Sequence, residues 1–190
     1  GRVLLFGVVA RHQLRLLSKL IQEKDDTASL ALLKTLTQEL AQTRPYHWGE
    51  NTCIRKTLLP LIEKAREDGI PVMADLSLAP HLPFEQELAQ AAARLVNAAI
   101  AVSRSQDKSK QSITIIARQT ETTIMLLIGN RQTGPVLMDA EGHPQNGPYA
   151  EVIPALHQFI INHQGVGRYT CKKGWVIANV RIPCKGGAAV

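Results

Sequence analysis

Residues 85–129 read EQELAQAAARLVNAAIAVSRSQDKSKQSITIIARQTETTIMLLIG, and the change of pattern within this stretch decides the fold. The first 20 residues are rich in alanine, with leucines and valines at helical spacing, which predicts a helix over residues 85–104. Short apolar runs follow at residues 112–118 and 122–129, and their isoleucines and threonines predict two adjacent strands. A helix followed by neighbouring strands is typical of a sheet that carries helices on its face.

The segments on either side continue this alternation of helices and strands. The pattern predicts helices at residues 53–68 and 152–163, a strand at 70–78, a polar loop at 130–148 and a hairpin with strands at 168–171 and 175–182. Pro60 is a point at which the first of these helices is expected to kink. This order of elements predicts a two-layer α/β sandwich with a mixed sheet.

The N-terminal residues follow a different, wholly helical pattern. One apolar stripe of the first helix, over residues 3–24, comprises Leu5, Val9, His12, Leu16 and Leu20. A second helix is predicted over residues 28–42, so the two form an antiparallel hairpin. Because two helices cannot enclose a core, we expect two hairpins to pair into a dimeric four-helix bundle.

Residues 43–52 (TRPYHWGENT) are polar and contain proline and glycine, and they mark a domain boundary. The sequence therefore predicts an α+β protein with two domains. The first is the helical hairpin, residues 1–45, and the second is the α/β sandwich, residues 46–190.

Composition excludes several classes of protein. With 45% hydrophobic residues the chain can form a real core, and no apolar run reaches the length of a membrane span. The three cysteines are far apart, which predicts neither a disulfide framework nor a zinc site, and we expect a cytoplasmic protein. The net charge is +6, but the aromatic residues are few and no nucleic-acid-binding motif is present. We therefore expect no nucleic-acid partner and no metal bound by a cysteine or histidine cluster.

The order of several short motifs resembles the catalytic core of bacterial sensor histidine kinases, particularly the quorum-sensing and citrate-sensor-like branches. The motifs that carry this resemblance are RHQLR at 11–15, ENTCI at 50–54, KAREDGI at 64–70, LPF at 82–84, LVNAAI at 95–100, MLLIGN at 125–130, GPVLMDAEGHP at 134–144 and WVIANVRIP at 175–183. The resemblance covers nearly the whole chain. It implies a dimerisation and phosphoacceptor hairpin followed by a GHKL-type ATPase domain.

The resemblance also implies roles for three residues. His12 lies at the phosphoacceptor position, Asn97 in the N box that holds Mg²⁺, and Asn130 at the strand end that contacts adenine. The implied cofactors are ATP and Mg²⁺. The implied partners are a second copy of the chain and the receiver domain of a response regulator. A membrane segment preceding residue 1 in the intact protein also fits this family.

Several positions depart from the pattern of an active kinase. The lid region, residues 147–154, reads GPYAEVIP and keeps one glycine, with Glu151 where phosphate is expected. An acidic group there opposes phosphate binding by charge repulsion. The N box lacks its acidic residue, and its register leaves either Asn97 or Ala98 at the metal position. Gln13 replaces the carboxylate that follows the phosphoacceptor and would accept its proton.

Three functions are compatible with these features. The first is a signalling module with a degenerate ATP site that transfers phosphoryl groups through His12, similar to the sporulation phosphorelay phosphotransferase family. The second is an active ATP-dependent kinase with divergent motifs. The third is a dimeric scaffold without phosphoryl chemistry, in which His12 is a packed bundle histidine.

Overall fold

The computed structural model describes residues 46–184 of the chain. The chain divides into two units between Pro45 and Tyr46, and the described residues belong to the second unit. The predicted helical hairpin, with His12, lies outside the described residues, as do residues 185–190.

The described residues form a six-stranded mixed sheet. Its strands are β1 (Tyr46–His47), β2 (Val72–Ser77), β3 (Ile113–Gln119), β4 (Thr123–Arg131), β5 (Val166–Lys172) and β6 (Trp175–Pro183). The strands lie in the order β1-β2-β3-β4-β6-β5. β1, β2 and β3 are parallel to one another, and the remaining pairs are antiparallel. The predicted hairpin is β5–β6, which turns at Lys173 and Gly174.

Three helices pack against one face of this sheet. They are α1 (Thr52–Glu67), α2 (Glu85–Arg104) and α3 (Gly147–Asn162), and a single 3-10 turn at Lys108–Lys110 follows α2. Alternate strand residues, such as Ile124, Leu126 and Ile128 of β4, belong to the same apolar core as the buried faces of the helices. The predicted α+β class and two-layer sandwich are therefore confirmed.

The first helix is fixed at both ends by its local sequence. At its start the Asn51 Oδ1 accepts a hydrogen bond from the backbone N–H of Ile54 at 3.0 Å, which satisfies one of the free amides of the first turn. At its end Gly69 has a φ of +79°, and the N–H of Ile70 reaches back to the carbonyl of Ala65. This is the Schellman arrangement, for which glycine is favoured.

The second helix lies between the other two, which explains its composition. Eleven of its residues are buried, including Ala91, Ala92, Ala98 and Ala99. Small side chains let two neighbouring helices and the sheet approach it on three sides. The boundaries predicted for this helix, residues 85–104, are those observed.

Two elements differ from the sequence prediction. The third helix begins at Gly147, five residues before the predicted start, because Gly147 and Pro148 open the helix instead of ending the loop. The predicted boundary region contains the two-residue strand β1, whose partner β2 lies 28 residues further along the chain and could not be inferred from local pattern. None of the helices in residues 46–184 combines the length and the hydropathy of a membrane span.

We expect Gly49→Ala to destabilise the domain strongly. Gly49 has a φ of +61°, and a Cβ there would lie 1.9 Å from the carbonyl oxygen of Leu76. The left-handed backbone alone costs a non-glycine residue on the order of 1–3 kcal/mol, and the clash with backbone adds to it. Urea denaturation measures the loss. Gly134→Ala is the matched control, since nothing lies within 4 Å of a Cβ there, and an equal loss in both variants would contradict the argument.

Candidate functional site

A buried pair of polar side chains, Asn130 and Tyr149, joins the sheet to the start of the third helix. Asn130 lies near the end of β4, faces the helical layer and has an exposed fraction of 0%. Tyr149, from the first turn of α3, is 2% exposed. Its hydroxyl donates a hydrogen bond of 2.5 Å to the Asn130 Oδ1, and the Asn130 Nδ2 donates to the carbonyl of Arg131 at 2.9 Å. Both the oxygen and the nitrogen of the Asn130 amide therefore form hydrogen bonds within the chain.

The local sequence explains why Tyr149 points into the core. Gly147 has a φ of +75° and turns the chain into α3, and Pro148 has the backbone angle that the first turn of a helix needs. Tyr149 then begins the buried face of the helix, which continues with Leu156 and Phe159 at seven and ten residues further on. Seven and ten residues are close to two and three helical turns, so the three side chains share one face.

Burial changes the acidity of both tyrosines in this region. The pKa of Tyr149 is raised strongly, mainly because the ring is buried away from solvent and to a smaller extent because of the charge of Tyr169. Loss of solvent also raises the pKa of Tyr169, on β5, to about 12. Because a phenolate would be both buried and close to a second phenol, the two rings are held in the neutral form.

We expect the domain to unfold in alkali as these tyrosines ionise. Their folded pKa values lie above the unfolded value of about 10. The stability that they contribute is thus complete below pH ~10 and is lost as the pH rises through the folded pKa of Tyr169, about 12. Absorbance at alkaline pH, followed together with circular dichroism, measures this. Tyr149→Phe should remove part of the effect, and phenolate absorbance of both buried rings in a still-folded protein would contradict it.

Asn97, one of the two residues that the resemblance could place at the metal position, lies on the exposed side of α2. It belongs to a stripe that includes Arg94, Ala101 and Arg104, all of which are exposed. The next residue, Ala98, is 4% exposed and faces the core. Asn97 is therefore at the surface, whereas Asn130 is inside, and the inward position beside Asn97 offers no polar ligand.

The lid region expected at residues 147–154 forms the first two turns of α3. The segment between β4 and α3 is a compact loop. An isolated bridge joins Met138 to Pro144, and the Asn146 Oδ1 accepts a hydrogen bond from the N–H of Leu137 at 2.9 Å. Glu151, on α3, is exposed. The loop is thus closed by bonds within its own backbone and side chains.

The same loop holds a group of possible metal ligands that the sequence analysis missed. Ligand atoms of Asp139, Glu141 and His143 lie within 4.8 Å of one another. The backbone N–H groups of His143 and Glu141, and the nearby His143 ring, lower the pKa of Asp139. The spacing D-x-E-x-H at residues 139–143 could have revealed this group from the sequence alone. The group is at least partly exposed, and its hydrogen bonds also serve to shape the loop.

A second polar cluster lies on the sheet face opposite the helices. Asp75, on β2, is 5% exposed, and its carboxylate accepts a hydrogen bond of 2.9 Å from the Arg118 guanidinium of β3. The Ser77 hydroxyl also donates to Asp75, and the His47 Nδ1 lies 3.4 Å from the same carboxylate. Three strands contribute to this cluster, so no sequence spacing could have predicted it. The buried Asp75 carboxylate is paired with the Arg118 guanidinium, and the cluster connects β1 to β3 through β2.

Several solved structures of histidine kinases have a similar fold. The catalytic domain of the histidine kinase ThkA matches with a TM-score of 0.53 and 16% identity, over 70% of this chain and 91% of that domain. The Acinetobacter baumannii histidine kinase AdeS matches with a TM-score of 0.54 and 16% identity, over 92% of this chain and 96% of that one. The Erythrobacter litoralis blue-light-activated histidine kinase EL346 gives 0.56 and 9%, over 93% of this chain and 61% of that one.

These likenesses establish the fold of the described domain. It is the α/β sandwich of histidine-kinase catalytic domains, with the ATPase-type order of helices and strands that the motifs predicted. The sequence itself matches no family model and no curated protein.

Proposed function

We propose that this chain is a two-component signalling module that transfers phosphoryl groups through His12 and whose ATPase-type domain does not hold ATP. The fold of the described domain supports the signalling class, because its structural neighbours are histidine kinases. In this proposal residues 1–45 form the dimerisation and phosphoacceptor hairpin, and residues 46–190 form the ATPase-type domain.

The observation that carries the proposal is the hydrogen bond between Tyr149 and Asn130. The family resemblance assigns Asn130 to adenine recognition, but its amide oxygen already accepts the Tyr149 hydroxyl at 2.5 Å. A base could reach this oxygen only by displacing a fully buried phenol. Displacement would leave the phenol or the amide without a partner, which costs about 1–3 kcal/mol before any binding energy is gained.

The residues available for Mg²⁺ and phosphate fit these ligands poorly. Mg²⁺ requires near-octahedral oxygen ligands, usually one or two carboxylates together with substrate phosphates. Asn97 is exposed on α2, and the inward position next to it is Ala98. One glycine, Gly147, remains in the lid segment, and Glu151 adds a negative charge near the expected phosphates. These placements argue against a working site for metal-bound triphosphate.

Phosphoryl transfer from a response regulator does not require such a site. The phosphoryl group leaves the aspartyl oxygen of the regulator and forms a bond with an imidazole nitrogen of His12, and the aspartate carboxylate is restored. The regulator supplies the Mg²⁺ and the charge stabilisation, so the histidine protein needs only to present the ring in line. Loss of the ATP site therefore removes autophosphorylation and leaves transfer intact.

The proposal is tested by comparing two phosphoryl donors. The purified chain is incubated with radiolabelled Mg-ATP in one reaction, and in the other with a panel of receiver domains phosphorylated by labelled acetyl phosphate. We expect label on the chain from a receiver domain and none from ATP. Label from ATP at sub-millimolar concentration would instead identify an active kinase, and label from neither donor would favour a scaffold.

We expect the chain to be a dimer that depends on its N-terminal apolar stripe. Leu16 and Leu20 belong to a stripe that one partner helix cannot cover, and burying a leucine contributes about 1.5–3 kcal/mol. Leu16→Glu should therefore give a monomer in multi-angle light scattering at micromolar concentration, whereas wild type should give a dimer. Ser18→Glu, which adds the same charge on nearly the opposite side of the same predicted helix, is the control. A monomeric wild type would contradict the prediction.

A further inference from the structure

We propose that the loop between β4 and α3 carries a binding site for Zn²⁺. Its ligands are the carboxylates of Asp139 and Glu141 and the Nδ1 atom of His143, and the ligand atoms of these residues lie within 4.8 Å of one another. No step of the proposed phosphoryl transfer depends on this site, so the inference goes beyond the proposed function. It also replaces the expectation, drawn from the spacing of cysteines and histidines, that the chain binds no metal.

The backbone of residues 139–143 brings the three side chains together. The N–H of Asp139 donates to the carbonyl of His143 at 2.9 Å, and the N–H of Gly142 donates to the carbonyl of Asp139 at 3.1 Å. Gly142 has a φ of +83°, in the left-handed region that favours glycine. The turn therefore fixes Asp139 opposite His143, with Glu141 between them in the turn.

The two carboxylate oxygens of Asp139 have different roles. Oδ1 accepts hydrogen bonds from the N–H groups of Glu141 and His143 at 2.9 and 2.8 Å, so it shapes the turn. Oδ2 accepts one hydrogen bond of 3.2 Å from the Gln145 side chain and lies beside the His143 Nδ1. Because a carboxylate oxygen has more than one lone pair, Oδ2 can still bind a cation.

The distances between the ligand atoms fit a shared ion better than they fit direct hydrogen bonds. The His143 Nδ1 lies 3.4 Å from the Asp139 Oδ2 and 3.7 Å from the Glu141 Oε2. An N–H···O hydrogen bond is about 2.7–3.2 Å long. Tetrahedral Zn²⁺, with bonds of about 2.0–2.2 Å, separates two of its ligand atoms by about 3.3–3.6 Å. The three donor atoms are therefore spaced for one ion, with water as its fourth ligand.

The donor atoms favour Zn²⁺ over Mg²⁺ and Ca²⁺. An imidazole nitrogen is a common ligand of Zn²⁺, whereas Mg²⁺ and Ca²⁺ prefer oxygen ligands. A divalent cation also neutralises the charges of the two carboxylates. The His143 ring is held in place because it packs edge-on against the rings of Tyr169 and His157, with centroids 5.9 and 6.3 Å away. A ligand that is positioned before the ion arrives loses less freedom on binding.

The test is a calorimetric titration of the full chain, freed of metal with EDTA, with Zn²⁺, Mg²⁺ and Ca²⁺ in separate experiments. We expect saturable binding of Zn²⁺ and much weaker binding of the other two ions. At ten times its Kd, Zn²⁺ should raise the melting temperature by about 3–6 °C. Glu141→Gln and His143→Gln should each weaken Zn²⁺ binding at least about tenfold.

The variants are chosen so that folding and charge are controlled. Glu141 is 80% exposed, so its substitution should leave the fold intact. Glu121→Gln is the matched control, because it removes the same charge from the exposed bend between β3 and β4 and should bind Zn²⁺ as wild type does. Should His143→Gln not fold, Asp139→Asn takes its place, since an asparagine side chain can keep the hydrogen bonds that shape the turn.

Each outcome decides the inference. Zn²⁺ binding that both loop variants weaken and that Glu121→Gln retains supports it. Absence of Zn²⁺ binding overturns it, as does an equal Kd in wild type and the loop variants, because the ion would then lie elsewhere in the chain. An equal loss in Glu121→Gln, or equal affinity for Mg²⁺, also overturns it. Phosphoryl transfer to His12 is measured separately, so failure of the proposed function gives a different result.

Discussion

Substitution of His12 by alanine should abolish all labelling of the chain by phosphorylated receiver domains. The neutral imidazole nitrogen is a nucleophile near neutral pH, and no other residue of the predicted hairpin offers one at a family phosphoacceptor position. Alanine is the best helix former, so the change should leave the predicted helix intact. Loss of label therefore measures loss of the phosphoacceptor and not of the fold.

The controls for this variant separate chemistry from packing. His157→Ala removes an exposed histidine of the described domain and should label as wild type does. The dimer of His12→Ala should persist in light scattering. Label that remains on His12→Ala would place the chemistry on another residue. Dissociation of its dimer would indicate that His12 is a packed bundle residue. Gln13→Asp restores an acidic neighbour and should leave transfer from a regulator largely unchanged.

Removal of either member of the Tyr149–Asn130 pair should destabilise the domain more than removal of both. Tyr149→Phe leaves the buried Asn130 Oδ1 without its donor, and Asn130→Leu leaves the buried Tyr149 hydroxyl without its acceptor. An orphaned buried polar group costs about 1–3 kcal/mol. In the double variant both polar ends of the bond are replaced by apolar groups, and much of that cost disappears.

Chemical denaturation of the four proteins gives the coupling free energy directly. Since the two residues are in contact, we expect a coupling of about 1–3 kcal/mol, within the range measured for such neighbours. A tyrosine–asparagine hydrogen bond at the protein surface would give almost no coupling free energy. Additive effects of the two single substitutions would contradict the account, because they would mean that the hydrogen bond contributes nothing to closing the site.

Local pattern predicted the described domain well where elements are defined by neighbours along the chain. Helix α2 and the strands β3, β4 and β6 each follow from a single periodicity that the buried core confirms. The start of α3 was placed too late because Gly147-Pro148 is equally typical of a loop and of a helix start. β1 was missed because a two-residue strand is defined only by its partner β2.

The candidate site was harder to predict, because it depends on contacts between distant residues. The sequence indicates a role for Asn130 but not for Tyr149, which lies 19 residues further on, between the predicted loop and the predicted helix. Asp75, Arg118 and His47 meet through the strand order, which no spacing reveals. The sequence shows that the lid region, residues 147–154, keeps one glycine. Only the fold shows that Tyr149 of this segment packs inward and binds Asn130.

A calorimetric titration of the wild-type chain with Mg-ATP tests the central claim, that Tyr149 and Asn130 close the nucleotide site, most directly. We predict no binding heat at sub-millimolar ATP and no rise in melting temperature in the same samples, because the amide that would meet the base already binds the phenol. Saturable binding at sub-millimolar ATP, with a matching rise in melting temperature, would contradict the claim and identify an open, working nucleotide site.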